Sequence, residues 1–137
     1  MRKIYDKGRS NIVANNAMVA TSQPLSSQEA INILRMGGNA VDAAIAASAV
    51  LSVVEPGSTG IGGDCFAIVK MENNNPVSFN GSGINPKNAD LDYFKKNKID
   101  KIGLLSPHSV TIPGAVLTLQ FYGSLDWTSV EVRGNIA

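Results

Sequence analysis

Gly37-Gly38-Asn39-Ala40-Val41-Asp42-Ala43-Ala44, running on through Ile45-Ala46-Ala47-Ser48-Ala49-Val50-Leu51-Ser52-Val53-Val54 to Glu55-Pro56, is the stretch on which the fold turns. Asn39 is a good N-cap, and Asp42 falls in the first turn, where a carboxylate favours the positive helix end. From Ala43 to Val54 the helix is small and apolar on every side, interrupted only by Ser48 and Ser52. A helix that is apolar all round must be covered all round. Few other elements in the chain are available for that, so the segment reads as part of a larger parent fold. Its alanines and Ser48 let neighbouring backbones come close. A bilayer core needs about 20 apolar residues, so this run is a buried helix and not a membrane span. Glu55-Pro56 ends it, because a residue before proline avoids the helical region.

Upstream, Ser26 and Glu29 have the spacing of a capping box and predict a helix start at Ser26. Ala30, Ile33 and Leu34 give that helix one apolar face, and Gly37 suits a left-handed position just past its end. Ala17-Met18-Val19-Ala20-Thr21 reads as a short strand broken by Pro24. Residues 1–16 read as an extended, polar arm.

Downstream, Gly57 to Asp64 is a glycine-rich turn and Cys65 to Met71 a buried strand. Glu72-Asn73-Asn74-Asn75-Pro76 makes a hairpin loop, with Val77-Ser78-Phe79 returning. Asn80-Gly81-Ser82-Gly83 is a tight turn. Asn88 or Asp90 caps a short helix through Tyr93 and Phe94, Ser109 to Ile112 is strand-like, and Pro113 fits the first turn of a last helix through Leu117 and Phe121 to Gly123. The expected order is strand, helix, helix, strand, strand, helix, strand, helix, an α+β or layered α/β pattern with an antiparallel hairpin at its centre.

Composition narrows the function classes. The chain has 137 residues, 44% hydrophobic and 17% charged, with 12 basic against 11 acidic side chains. No basic stripe stands out, which argues against nucleic acid and against an anionic membrane surface as partners. Cys65 is the only cysteine and His108 the only histidine, so neither an internal disulfide nor a Cys/His zinc cage can form. The basic start from Met1 to Arg9 has no apolar region behind it and does not read as a secretory signal; the expectation is a cytoplasmic protein.

The chemistry-bearing residues give little by themselves. Gly60-Ile61-Gly62-Gly63 fails as a dinucleotide fingerprint: the third glycine would fall on Cys65, and the loop opens a strand where phosphate binding needs a helix N-terminus. Its plain reading is backbone packed where no Cβ fits. Cys65 sits mid-strand among apolar neighbours and reads as structural. His108, in a Ser-Pro-His turn, reads as solvated, and one histidine supports no Ser/His/Asp arrangement. Asp64 reads either as a cleft carboxylate or as a turn residue bonding local backbone. Asn80 and Ser82 lie on a polar loop at a strand end, a common place for ligand contacts.

Several stretches together carry a resemblance. They are Met18-Val19-Ala20-Thr21-Ser22-Gln23-Pro24-Leu25, then Ile33 through Ala44, Val54-Glu55-Pro56, Gly60-Ile61-Gly62-Gly63 with Phe66, Val110-Thr111-Ile112-Pro113-Gly114-Ala115, and Tyr122 to Trp127. In this order and spacing, from about Gly8 to Trp127, the chain resembles the γ-glutamyltranspeptidase superfamily. The resemblance implies a layered αββα sandwich of the N-terminal-nucleophile hydrolase type, with residues 17–127 as a partial large-subunit segment, so that only the first part of the sandwich is present. It implies one precursor that cleaves itself into a large and a small subunit. A threonine at the new N-terminus, with its own α-amine as base, would attack a γ-glutamyl or related amide and form an acyl-enzyme. No metal and no cofactor are implied. The implied partner is the small subunit of the same precursor, or a separately encoded one.

Two departures bear on function. The nucleophile is expected beyond residue 137: Thr21, Thr59, Thr111, Thr118 and Thr128 match no processing site, so no catalytic residue is expected in this chain and the chain alone is expected to be inactive. Residues 128–137 stop resembling the family, which continues there with an apolar helix, and the expectation is a divergent tail from a truncated or frameshifted reading frame. Secondly, the family grips the substrate's α-carboxylate with an arginine in a D-x-R-E-x-A-P segment. Aligned on Pro86, that arginine falls on Ser82 and the aspartate on Asn80, which makes Asn80 and Ser82 the candidate substrate-binding residues. Serine offers no charged, bidentate fork. The loop resembles a transpeptidase-like branch with N-G-S-G here, for which a related amide or acylase-type substrate is the expectation. The alternative is a non-catalytic module that buries its helix 43–54 in a partner or in another copy of itself.

Overall fold

The computed structural model describes residues 11–123 and 130–133, with side chains up to Thr118. The elements are α1 (Pro24–Arg35), α2 (Ala40–Val54), β1 (Cys65–Met71), β2 (Val77–Gly81), α3 (Leu91–Lys96), a 3-10 turn (Pro107–Ser109), α4 (Gly114–Gly123) and β3 (Val130–Arg133). The strands form one antiparallel sheet in the order β2-β1-β3. This is an α+β arrangement.

The junction between α1 and α2 follows from local chemistry. Gly37 has φ +92°, the left-handed conformation that a side chain resists. Its N–H donates to Leu34 O at 3.2 Å and that of Gly38 to Ile33 O at 3.0 Å, so two terminal carbonyls of α1 are satisfied in a Schellman motif. Asn39 then caps α2, accepting from Val41 N at 2.8 Å and Asp42 N at 3.0 Å, while Asp42 accepts from Asn39 N at 3.2 Å. Asn39 is the expected N-cap and Asp42 the expected first-turn carboxylate, and together they close a reciprocal capping box.

The start of α1 differs from expectation. Gln23 is the N-cap, its side chain accepting from Leu25 N at 2.6 Å, and Pro24 opens the helix. Proline's fixed φ and missing N–H suit that first position. Ser26 therefore lies inside the helix, fully buried, and donates to Ala47 O of α2 at 2.8 Å. Glu29 accepts from Asn32 Nδ2 at 3.3 Å. Residues 17–21 form no strand. They have no ladder partner, and Val19 packs instead onto the cluster of Ala30, Ala43 and Ala47 where α1 meets α2.

On its other side α2 meets the sheet, where Val41 and Val69 are buried with Ile45, Ala67 and Phe79 around them. The inward face of β1 is thus Cys65, Ala67 and Val69. Phe66 and Ile68 point to the opposite face and are exposed, at 45% and 52%. Within the described residues α2 is covered on two sides and not all round: Val53 is 76% exposed.

The hairpin, the Asp90 cap of α3 and the extent of α4 follow the sequence expectation, with Pro113 immediately before the last helix. The strand expected at 109–112 is absent. Ser109 ends the 3-10 turn, and Ile112 N donates to Ile84 O at 2.9 Å, one bond short of a ladder. β3 falls in the expected tail, and it pairs with β1 from Ile68↔Arg133 to Met71↔Val130. Of the expected arm, residues 1–10 lie outside the described residues, as do 124–129 and 134–137.

Candidate functional site

Three segments converge at one end of the hairpin: the glycine turn before β1, the end of β2, and the N-terminus of α4. Gly63 O accepts from both Gly114 N, at 3.1 Å, and Ala115 N, at 3.0 Å, satisfying two donors that a helix start leaves open. The glycine turn therefore does sit on a helix N-terminus, but it offers a carbonyl there, and no phosphate cradle results.

The close approaches lie elsewhere than expected. Gly60 and Gly62 face open space within this chain. Gly81, Gly83 and Gly114 are the packed positions. A Cβ on Gly81 would overlap Thr118 Oγ1 and stand 2.7 Å from Cys65 O; one on Gly114 would overlap Gly81 O; one on Gly83 would overlap Thr111 Oγ1 and Ile112 O. Backbone contact of this kind lets α4 lie directly across the end of β2. Thr118, fully buried, donates to Gly114 O at 2.9 Å in the same knot. Sequence reasoning passed over Thr118 and gave Gly81 no packing role. A glycine directly after Pro113, facing another at a strand end, is the only local signal for such a contact.

The polar loop emerges from this knot. Asn80 and Gly81 belong to β2, and only Ser82 and Gly83 lie beyond it. Asn80 Oδ1 accepts from Ser82 N at 3.0 Å, folding the loop back on the strand. Asp64 Oδ1 accepts from Gly83 N at 2.9 Å, a contact spanning 19 residues. Asp64 is thus an exposed carboxylate that ties the turn before β1 to the loop after β2, in place of either role expected for it. Asn80 and Ser82 are both exposed. Asn80 pairs with Phe66 in the ladder, so it lies on the open face of the sheet. The structure brings Asn80 and Ser82 together beside Asp64.

The other candidates lie apart from this loop chemistry. Cys65 is buried; burial pushes its thiol above the ordinary value of 9.0, and a hydrogen bond with Thr118 acts in the opposite sense. A protonated, covered thiol is a poor nucleophile. His108 is half-buried and not simply solvated: its ring meets Tyr93 at 5.6 Å and Phe94 at 5.5 Å, both edge-on, and so fastens the 3-10 turn to α3. Among the described residues no serine, threonine or cysteine side chain hydrogen-bonds to this imidazole, and no three His, Cys, Asp or Glu side chains gather as a metal group. No helix among them is long and apolar enough to cross a membrane. The arrangement offers a polar, partly anionic wall with hydrogen-bonding groups, and no assembled nucleophile and base.

Comparison with known proteins places the chain. The gamma-glutamyltranspeptidase family model matches residues 26–131. "Glutathione hydrolase 2" of Arabidopsis thaliana is 38% identical over 126 residues, covering 88% of this chain and 21% of that protein. The "Glutathione hydrolase-like YwrD proenzyme" of Bacillus subtilis is 39% identical over 126 residues, covering 88% and 24%. Among solved structures, cephalosporin acylase from Bacillus halodurans superimposes with a TM-score of 0.73 at 33% identity, over 90% of this chain and 24% of that one. Gamma-glutamyltranspeptidase from Pseudomonas nitroreducens, complexed with L-DON, superimposes with 0.70 at 29% identity, over 84% and 36%. The chain spans between a fifth and a quarter of the length of these two curated relatives. With the family model matched over most of its length and the fold shared with solved members, the chain belongs to the gamma-glutamyltranspeptidase family.

Proposed function

We propose that this chain is the amino-terminal part of an enzyme that hydrolyses or transfers γ-glutamyl or related acyl amides, and that it supplies one wall of the acyl-binding site. The observation that carries the reading is the Asn80–Gly83 loop, tied down by Asp64 and exposed at the end of an otherwise open sheet face. The reaction is acyl transfer to the hydroxyl of an N-terminal threonine, with the adjacent amine as base, followed by attack of water or an acceptor amine. Backbone donors would stabilise the tetrahedral oxyanion. That threonine comes from outside residues 1–137, from a small subunit either joined to this segment as a proenzyme or made separately. The Bacillus subtilis relative carries "proenzyme" in its name, which supports a processed partner.

The layered αββα fold is part of the proposal. Helices α2 and α4 lie on one face of the sheet, and Phe66 and Ile68 on the other face are left without cover, as a face meant for a second sheet would be. A cytoplasmic location and the absence of cofactor and metal complete the proposal.

The test is a chimaera in which residues 26–131 replace the matching segment of the Bacillus subtilis proenzyme. The expected result is self-processing and release of product from a γ-glutamyl anilide or a related acyl anilide, with none released by the 137-residue chain alone. Product release by the chain alone, or a processed chimaera inert toward every acyl anilide, would contradict the reading. One observation favours the second reading, a non-catalytic module: Val53 projects uncovered from α2, in the helix 43–54 through which such a module would associate. Normal catalysis by the chimaera would exclude it.

A further inference from the structure

The segments that converge on the loop are 60–66, 80–84 and 111–118, and Asp64 is the one formally charged residue in all three. Its carboxylate is bonded to the amide that follows Ser82, so its charge lies one peptide unit from that side chain. Asn80 and Ser82 are neutral, and no arginine or lysine belongs to these segments. From these three segments, a carboxylate on a ligand held by this loop would meet a like charge and no cation. A neutral or cationic group in the same place would meet a hydrogen-bond acceptor of favourable sign.

We propose that Asp64 sets the charge preference of this wall, so that the acyl group accepted carries an amine or a neutral group and no carboxylate beside it. The substrate class is then an amide of an ω-amino or neutral acyl group, not a γ-glutamyl amide with its free α-carboxylate. Asp64 acts doubly: Oδ1 fixes Gly83 and with it the direction of Ser82, and the remaining charge repels anions. Because Asp64 is exposed, water screens its effect, and the discrimination is about two- to fivefold in affinity. This inference rests on the reading of the loop as an acyl-binding wall.

Saturation-transfer difference spectroscopy on the full chain tests it with a matched pair, L-glutamine and 4-aminobutanamide, which is glutamine without its carboxylate. The method observes the ligand and tolerates association of the protein. The expected result is a dissociation constant about two- to fivefold lower for 4-aminobutanamide. Asp64→Asn narrows that gap and Ser82→Arg reverses it, the latter variant leaving the Gly83 tether in place. Equal affinity for both, preference for L-glutamine, or a gap unmoved by Asp64→Asn would overturn the charge preference while leaving the loop as a binding wall. Saturation of neither compound would overturn the wall itself, and the inference with it.

Discussion

At Gly81 three groups crowd the space a side chain would need: Thr118 Oγ1, Cys65 O and Gly114 O. Gly81→Ala is expected to destabilise the chain by about 2 kcal/mol or more, since neither backbone carbonyl can step aside. Gly60→Ala, in open space, is expected to change stability by no more than about 0.5 kcal/mol. Chemical denaturation at one fixed protein concentration compares the two. Both glycines stand in motifs, Gly60 in Gly60-Ile61-Gly62-Gly63 and Gly81 in Asn80-Gly81-Ser82-Gly83, so residue importance was only half legible: a motif shows that glycines recur, and only the fold shows which are compressed within this segment. Cys65 gives a second prediction at this scale. Its folded thiol titrates above 9.0, so the unfolded chain loses its proton first as pH rises. This contribution to stability is complete below pH 9.0 and is lost progressively above it, and Cys65→Ala should flatten that decline in a pH series of melts. The structural role of Cys65 was legible because its neighbours along the strand are apolar; that of His108 was not, because Tyr93 and Phe94 reach it from an element 14 residues away.

At the scale of the element, what could be read was what is local. Gly37, Asn39 and Asp42 act within a turn of one another, and each does what its spacing predicted. Asn39→Ala is expected to cost about 1 kcal/mol, as loss of an N-cap usually does. Ser26 shows the opposite case. Its spacing to Glu29 fits a capping box, yet its partner is Ala47 O, 21 residues away, and Pro24 with Gln23 had already begun the helix. Ser26→Ala removes a buried hydrogen bond while Ala47 O keeps its place in the helical ladder of α2, at an expected cost of about 0.5–1.5 kcal/mol. The end of α3 invites a stabilising change. Lys98 holds φ 54°, and Ile99 N donates to Phe94 O at 3.0 Å, the geometry in which Gly37 ends α1. Lys98→Gly should therefore raise stability, by up to about 1 kcal/mol, where glycine in an ordinary helical position would lower it. The strands at 17–21 and 109–112 failed to appear because propensity gave them extended backbone and no partner; β3 was overlooked because the family resemblance ends just before it.

For the molecule as a whole, Leu51 is the largest buried apolar side chain among the described residues, and four of the eight buried apolar residues are alanines. No phenylalanine, isoleucine or methionine among them is buried. Phe66, Ile68, Val53, Leu104 and Leu105 all remain exposed, the last two above 90%. Scattered exposed leucines are ordinary, but Phe66 and Ile68 stand two residues apart on one uncovered face of the sheet, beside the polar Asn80 and Ser78. The all-apolar helix 43–54 announced this in the sequence: such a helix implies more cover than its own chain supplies. The α+β class was thus legible, and so was the incomplete cover of α2 among the described residues. The tether from Asp64 to Gly83 was not, because it depends on the hairpin bringing positions 19 residues apart to one end of the sheet. The central claim, that these residues are one part of a layered acyl-transfer fold whose remaining layers lie outside them, is tested most directly by size-exclusion chromatography with light scattering on the purified chain. The account predicts that the uncovered sheet face drives association to a mass well above 14.4 kDa, with a melting temperature that rises with protein concentration. A monodisperse 14.4 kDa species with a sharp, concentration-independent transition would contradict it.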